Sequence, residues 1–96
     1  MMNQITDSSY TVNPEAVRSF HDDGLVILHA GSGRLFTSND TGARIWRGIE
    51  QQLSSERIAS EISNAYQLPQ TTAREHTLSF LAALEQQSLI KREVAQ

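Results

Sequence analysis

Cysteine is absent from this chain of 96 residues, which removes disulfides, thiolate nucleophiles and cysteine metal ligands together. Packing alone must hold the fold. Long apolar runs are missing too: nothing approaches the roughly 20 residues that span a bilayer. The opening MMNQITDSS has neither the basic start nor the hydrophobic stretch of a secretory signal, so the chain is read as cytoplasmic, with no membrane partner. Positive charge is scarce, and a formal net charge of −3 weighs against nucleic acid, whose phosphates reward a basic surface. Catalytic constellations are lacking as well. His21, His29 and His76 are scattered over three elements with no metal-ligand spacing. Asp22 and Asp23 flank a turn and point apart, GSG lacks the strand-to-helix context of a phosphate loop, and no serine sits in a nucleophile elbow. The chain is read as a non-enzyme with no catalytic residue, no metal and no cofactor.

What is present suffices for one small domain. Hydrophobic content of 39% and charged content of 20% are ordinary for a globular protein, and a chain this short closes a single modest core. Residues 1–9 read as a polar, flexible tail, residues 10–90 as the domain and residues 91–96 as a second polar tail. Val17 to His21 is expected as a first strand, with Asp23-Gly24 supplying a tight turn through positive backbone angles. The aliphatic run Leu25 to Leu28 gives a central strand, and Gly31 to Gly33 turn the chain into a third, Arg34 to Ser38. Asn39 or Asp40 caps a helix running to about Gln52, with Gly42 read as a packing glycine. Ser54 caps a second helix ending near Tyr66, and Pro69 precedes a third whose core stripe is Ala73, Thr77, Phe80, Leu81, Leu84 and Ser88. The fold class is therefore α+β: a three-stranded antiparallel meander followed by three helices, winged helix-turn-helix-like.

Helix three carries a second stripe. At about 100° per residue, Arg74, Leu78, Leu81 and Glu85 fall on one line, apolar in the middle and charged at the ends. Strand three ends the meander, so one side of it offers unpaired N–H and C=O groups to another extended chain. An edge beside a helix makes a groove. A peptide entering it would gain backbone hydrogen bonds from Arg34, Leu35, Phe36 and Thr37 and bury alternate side chains against Leu78 and Leu81, with Arg74 and Glu85 at the rim.

The stretch DDGLVILHAGSGRLFTSNDTGARIW, followed by a short capped helix and a long one containing AREHTLSFLAALEQQSLI, resembles the PqqD family of peptide-recognition domains over roughly Tyr10 to Ile90. Gly33 to Phe36 and Asn39 to Ala43 carry the most specific part of the likeness. The resemblance implies a RiPP recognition element, a non-catalytic carrier. Such a carrier binds the leader of a ribosomally made precursor peptide by strand addition to strand three beside helix three. It then presents the leader to a modifying enzyme, such as a radical S-adenosylmethionine protein of pyrroloquinoline quinone biosynthesis or the leader peptidase of a lasso-peptide pathway. Ser38 and Ser88 depart from the family, which often has an apolar residue before the helix-capping Asn and a glycine near the end of helix three. Two other classes fit the pattern less well. One is a winged helix-turn-helix DNA-binding regulator, for which helix three offers Arg74 against Glu75 and Glu85. The other is a structural subunit that joins a larger complex through Trp46 and its helix faces.

Overall fold

The computed structural model describes residues 9–93; of the expected tails, 1–9 and 91–96, residues 1–8 and 94–96 lie outside them. The meander forms as expected, from β2 (Ala16–His21), β3 (Gly24–His29) and β4 (Arg34–Ser38), antiparallel with β3 in the centre. The first turn corrects its sequence reading. Asp22 and Asp23 make the turn, Gly24 pairs with His21 as the first residue of β3, and the positive φ falls at Gly33 in the second turn instead. Gly24 is needed for space: a Cβ there would lie 2.1 Å from the Ser38 carbonyl oxygen.

Three helices follow: α1 (Asp40–Glu50), α2 (Ser55–Tyr66) and α3 (Gln70–Gln86). Asn39 caps α1 by accepting from the Gly42 N–H at 3.0 Å, and Ser54 caps α2 by accepting from the Arg57 N–H at 3.1 Å. Leu25 and Ile27 of β3, Ile45, Trp46 and Ile49 of α1, Ile58 and Ile62 of α2, and Leu81 and Leu84 of α3 meet in one buried core. Trp46 is 0% exposed, and its indole N–H donates to Glu50 Oε2 at 2.8 Å, which also accepts from Arg18 Nε at 2.9 Å. Burial acts to raise the Glu50 carboxyl, but Arg18 and the indole N–H outweigh it and hold the group below the usual carboxylate range. Trp46 is thus an internal strut that welds α1 to β2, and it offers nothing to a partner.

An additional two-stranded ribbon takes in some residues read as tail. Antiparallel β1 (Ser9–Val12) and β5 (Ile90–Glu93) pair Tyr10 with Arg92 and Val12 with Ile90, and Tyr10 and Ile90 enter the core. Ser9 and Lys91 to Glu93, expected in the tails, therefore belong to strands. Asn13 fastens the ribbon by donating from Nδ2 to the Ser88 carbonyl at 2.8 Å.

The helices end without glycine. Gln52, Gln67 and Ser88 take left-handed φ values of 64°, 56° and 61° just beyond α1, α2 and α3. At the end of α3 the Leu89 N–H returns to the Leu84 carbonyl at 3.0 Å, the hydrogen bond of a Schellman stop. Ser88 stands at the position of that motif where the left-handed backbone strains any residue with a Cβ and favours glycine.

Candidate functional site

β4 is an edge strand: β3 occupies one of its sides, and among the described residues no strand pairs with the other. Alternate residues of such a strand turn N–H and C=O groups outward, ready to accept another chain. Side chains alternate across the same strand. Phe36 and Ser38, paired with the buried Ile27 and Leu25, face the helices, whereas Leu35 and Thr37 face the opposite surface of the sheet.

Beside this edge lies an open groove of about 450 Å3 between the end of β4, the first turns of α1 and one flank of α3. Small side chains create it. Ser38 and Gly42 form one wall, Ser79 and Ala83 leave the flank of α3 recessed, and Ile45 and Phe80 supply apolar floor, with His76 at one end. A Cβ on Gly42 would meet Ser38 Oγ at 1.9 Å and Phe80 Cζ at 2.9 Å, so glycine lets α1 sit against both β4 and α3. Phe80 meets Phe36 edge to face, ring centroids 5.8 Å apart, and joins α3 to the strand. At the start of β4 Arg34 donates to the side chain of Gln87, just beyond α3. Asp40, in the first turn of α1, accepts from the Tyr66 hydroxyl and pairs with Arg44 at 3.5 Å, the hydroxyl being the chief reason its carboxyl lies below the usual range. These contacts tie the groove's α1 wall to α2.

The structure divides the residues expected to bind. Phe36 faces the helices and packs on Phe80 without itself lining the groove, Arg34 reaches Gln87 just beyond α3, and Leu35 and Thr37 contribute edge backbone while their side chains point to the other side of the sheet. On helix three none of the expected stripe lines this groove. Leu81 is 1% exposed and belongs to the core. Arg74 turns to α2, where it pairs with Glu56 at 3.0 Å, and Glu85 turns to the ribbon, where it pairs with Arg92 at 4.0 Å. Leu78 shares their flank and is 44% exposed. The flank that meets β4 carries His76, Ser79, Phe80 and Ala83, roughly 170° round the helix from the stripe expected to bind, at about 100° per residue. The sequence signal available for it was the pair of small residues Ser79 and Ala83, four apart, beside an aromatic.

Among the described residues no group of three histidine, cysteine, aspartate or glutamate side chains is placed to hold a metal ion, and no helix is long and apolar enough to cross a membrane. With Arg74 engaged by Glu56, α3 has little positive charge to offer a phosphate backbone.

A comparison with curated proteins finds no match. Among solved structures, TbiB1 in complex with the TbiA(beta) leader peptide superposes with a TM-score of 0.78 at 28% identity, covering 88% of this chain and 98% of that one. A lasso peptide synthetase B1 complexed with its leader peptide shares the fold, with a TM-score of 0.79 at 23% identity over 86% of this chain and 98% of that one. The family profile described as coenzyme PQQ synthesis protein D matches residues 24–90, from the start of β3 through all three helices to the first residue of β5, and by that match the chain belongs to the PqqD family.

Proposed function

We propose that this protein is a non-catalytic chaperone that binds the leader segment of a ribosomally made precursor peptide by strand addition to β4. The observation that carries the proposal is the open edge of β4 lying directly beside a groove floored by Ile45 and Phe80. An added strand gains main-chain hydrogen bonds from the edge and places every second side chain in the groove, so affinity and selectivity come from one geometry. The likeness to TbiB1, which was solved with a leader peptide, supports the same reading. Of the residues expected from sequence, Arg34, Leu35, Phe36 and Thr37 keep a place in this site, joined now by Phe80 and Ala83. The partner that receives the peptide is a modifying enzyme, either a radical S-adenosylmethionine protein or a leader peptidase, in the cytoplasm where the precursor is made.

The test is titration of a fluorescent precursor leader peptide into the protein and two arginine variants. Ala83→Arg fills the groove and is expected to weaken binding by about tenfold or more, equivalent to about 1.4 kcal/mol. Ala82→Arg, on an exposed position of the same helix, is expected to stay within about twofold because a surface substitution away from the site leaves its contacts in place. Equal affinity in both variants would remove the groove from the site.

A further inference from the structure

The face of the sheet turned away from the helices carries an aliphatic row. Val17 pairs with Leu28, and Leu28 pairs with Leu35, so the three stand side by side across β2, β3 and β4. They are 57%, 36% and 67% exposed. Scattered apolar residues on a surface are ordinary, but members of one cross-strand row touch one another and act as a unit. The neighbouring row on the same face, Ser19, Val26 and Thr37, has a hydroxyl at each end. The row's most exposed member is Leu35, on the free edge that borders the groove.

We propose that Leu35 is a specificity-determining residue, reading an aliphatic side chain on the outward face of the bound peptide. The proposal rests on the reading that the peptide adds to β4. A strand added there sets one residue directly across from Leu35, at a Cβ separation of about 4.5–5.5 Å, and lengthens the aliphatic row by one member. The residue two places along the peptide falls beside Thr37, where a hydroxyl or other polar group is accommodated. The peptide is thus read on both faces: in the groove by the Phe80 side, and on the outer surface by Leu35 alone. The occupant of the Leu35 end is the peptide because the row stops at the edge the peptide fills, and covering its most exposed member needs no further chain.

The experiment pans a displayed library of random 14-residue peptides against the whole protein, then measures recovered peptides against Leu35→Thr, Leu35→Ile and Ala83→Arg. Threonine keeps strand propensity while removing the aliphatic end, and isoleucine restores it. Recovered peptides are expected to carry Val, Ile or Leu at one outward position. Leu35→Thr should weaken them by about three- to tenfold, as expected for losing one cross-strand pair and its burial, and Leu35→Ile should stay within about twofold. Replacing the peptide's own aliphatic residue by threonine should cost the same factor in wild type and little further in Leu35→Thr, the non-additivity of direct contact. Unchanged affinity in Leu35→Thr, with Ala83→Arg still impaired, overturns the inference and leaves the groove reading standing. Peptides insensitive to Ala83→Arg overturn the groove reading itself. Self-association that depends on Leu35 and is indifferent to peptide assigns the row to a second copy of the chain and also overturns the inference.

Discussion

The two flanks of α3 carry comparable residues to opposite ends. One presents Phe80 with Ser79 and Ala83; the other presents Leu78 with Arg74 and Glu85. On the first flank a strand with a free edge stands opposite, and the small side chains leave a hollow between them. On the second, Glu56 of α2 and Arg92 of β5 come up to meet the charges and close the surface with ion pairs. An apolar residue bordered by charges is therefore not enough to mark the side of a helix that lines a groove. A recess needs small residues on the helix and an unpartnered backbone across from it, and only one flank has both.

The contrast can be broken most forcefully at Phe80. Phe80→Ala removes the ring that packs on Phe36 and borders the buried core, and is expected to lower stability by about 2–3 kcal/mol, less than for a fully buried ring because Phe80 is only partly enclosed. For a domain of this size that is a fall in melting temperature of roughly 10–20 °C, readable by circular dichroism. A smaller effect of opposite sign is expected at the end of the same helix. Ser88→Gly relieves a left-handed φ of 61° and should raise stability by about 1 kcal/mol, the gain being reduced by the extra freedom of glycine in the unfolded chain. Denaturant titration would show it as a higher midpoint at unchanged slope. The smallest effects belong to the far flank. Arg74→Ala breaks an exposed ion pair with Glu56 and should cost less than about 0.5 kcal/mol. Leader affinity in Arg74→Ala and in Leu78→Gln should remain within about twofold of wild type, because neither residue faces β4.

The parts of the molecule legible from sequence are those fixed by neighbours along the chain. The aliphatic run of β3 between glycines, the caps Asn39 and Ser54, and the start of α3 after Pro69 each depend on a few adjacent residues. The ribbon was not legible. Tyr10 and Arg92 meet only after the rest of the domain has brought the two ends together, and IKRE carries no alternation that marks a strand. Nor was the flank of α3 that meets β4. Periodicity gave its core side, with Ala73, Thr77, Leu81 and Leu84 all buried, but a core side has two flanks. Which of them meets β4 is settled by the packing of α2 on α3, a tertiary fact no local pattern records. Phe80 was read as core because it is an aromatic on the apolar side, whereas it sits at the boundary where core becomes groove.

The most direct test of peptide addition at β4 is amide mapping of the isotopically labelled protein during titration with the leader peptide. The predicted result is a contiguous set of shift changes from Arg34 to Asn39, continuing through Gly42 and across His76, Ser79, Phe80 and Ala83, with the β4 edge amides becoming protected from hydrogen exchange. Changes concentrated instead at Arg74, Leu78 and Glu85, with β4 unperturbed, would contradict the account.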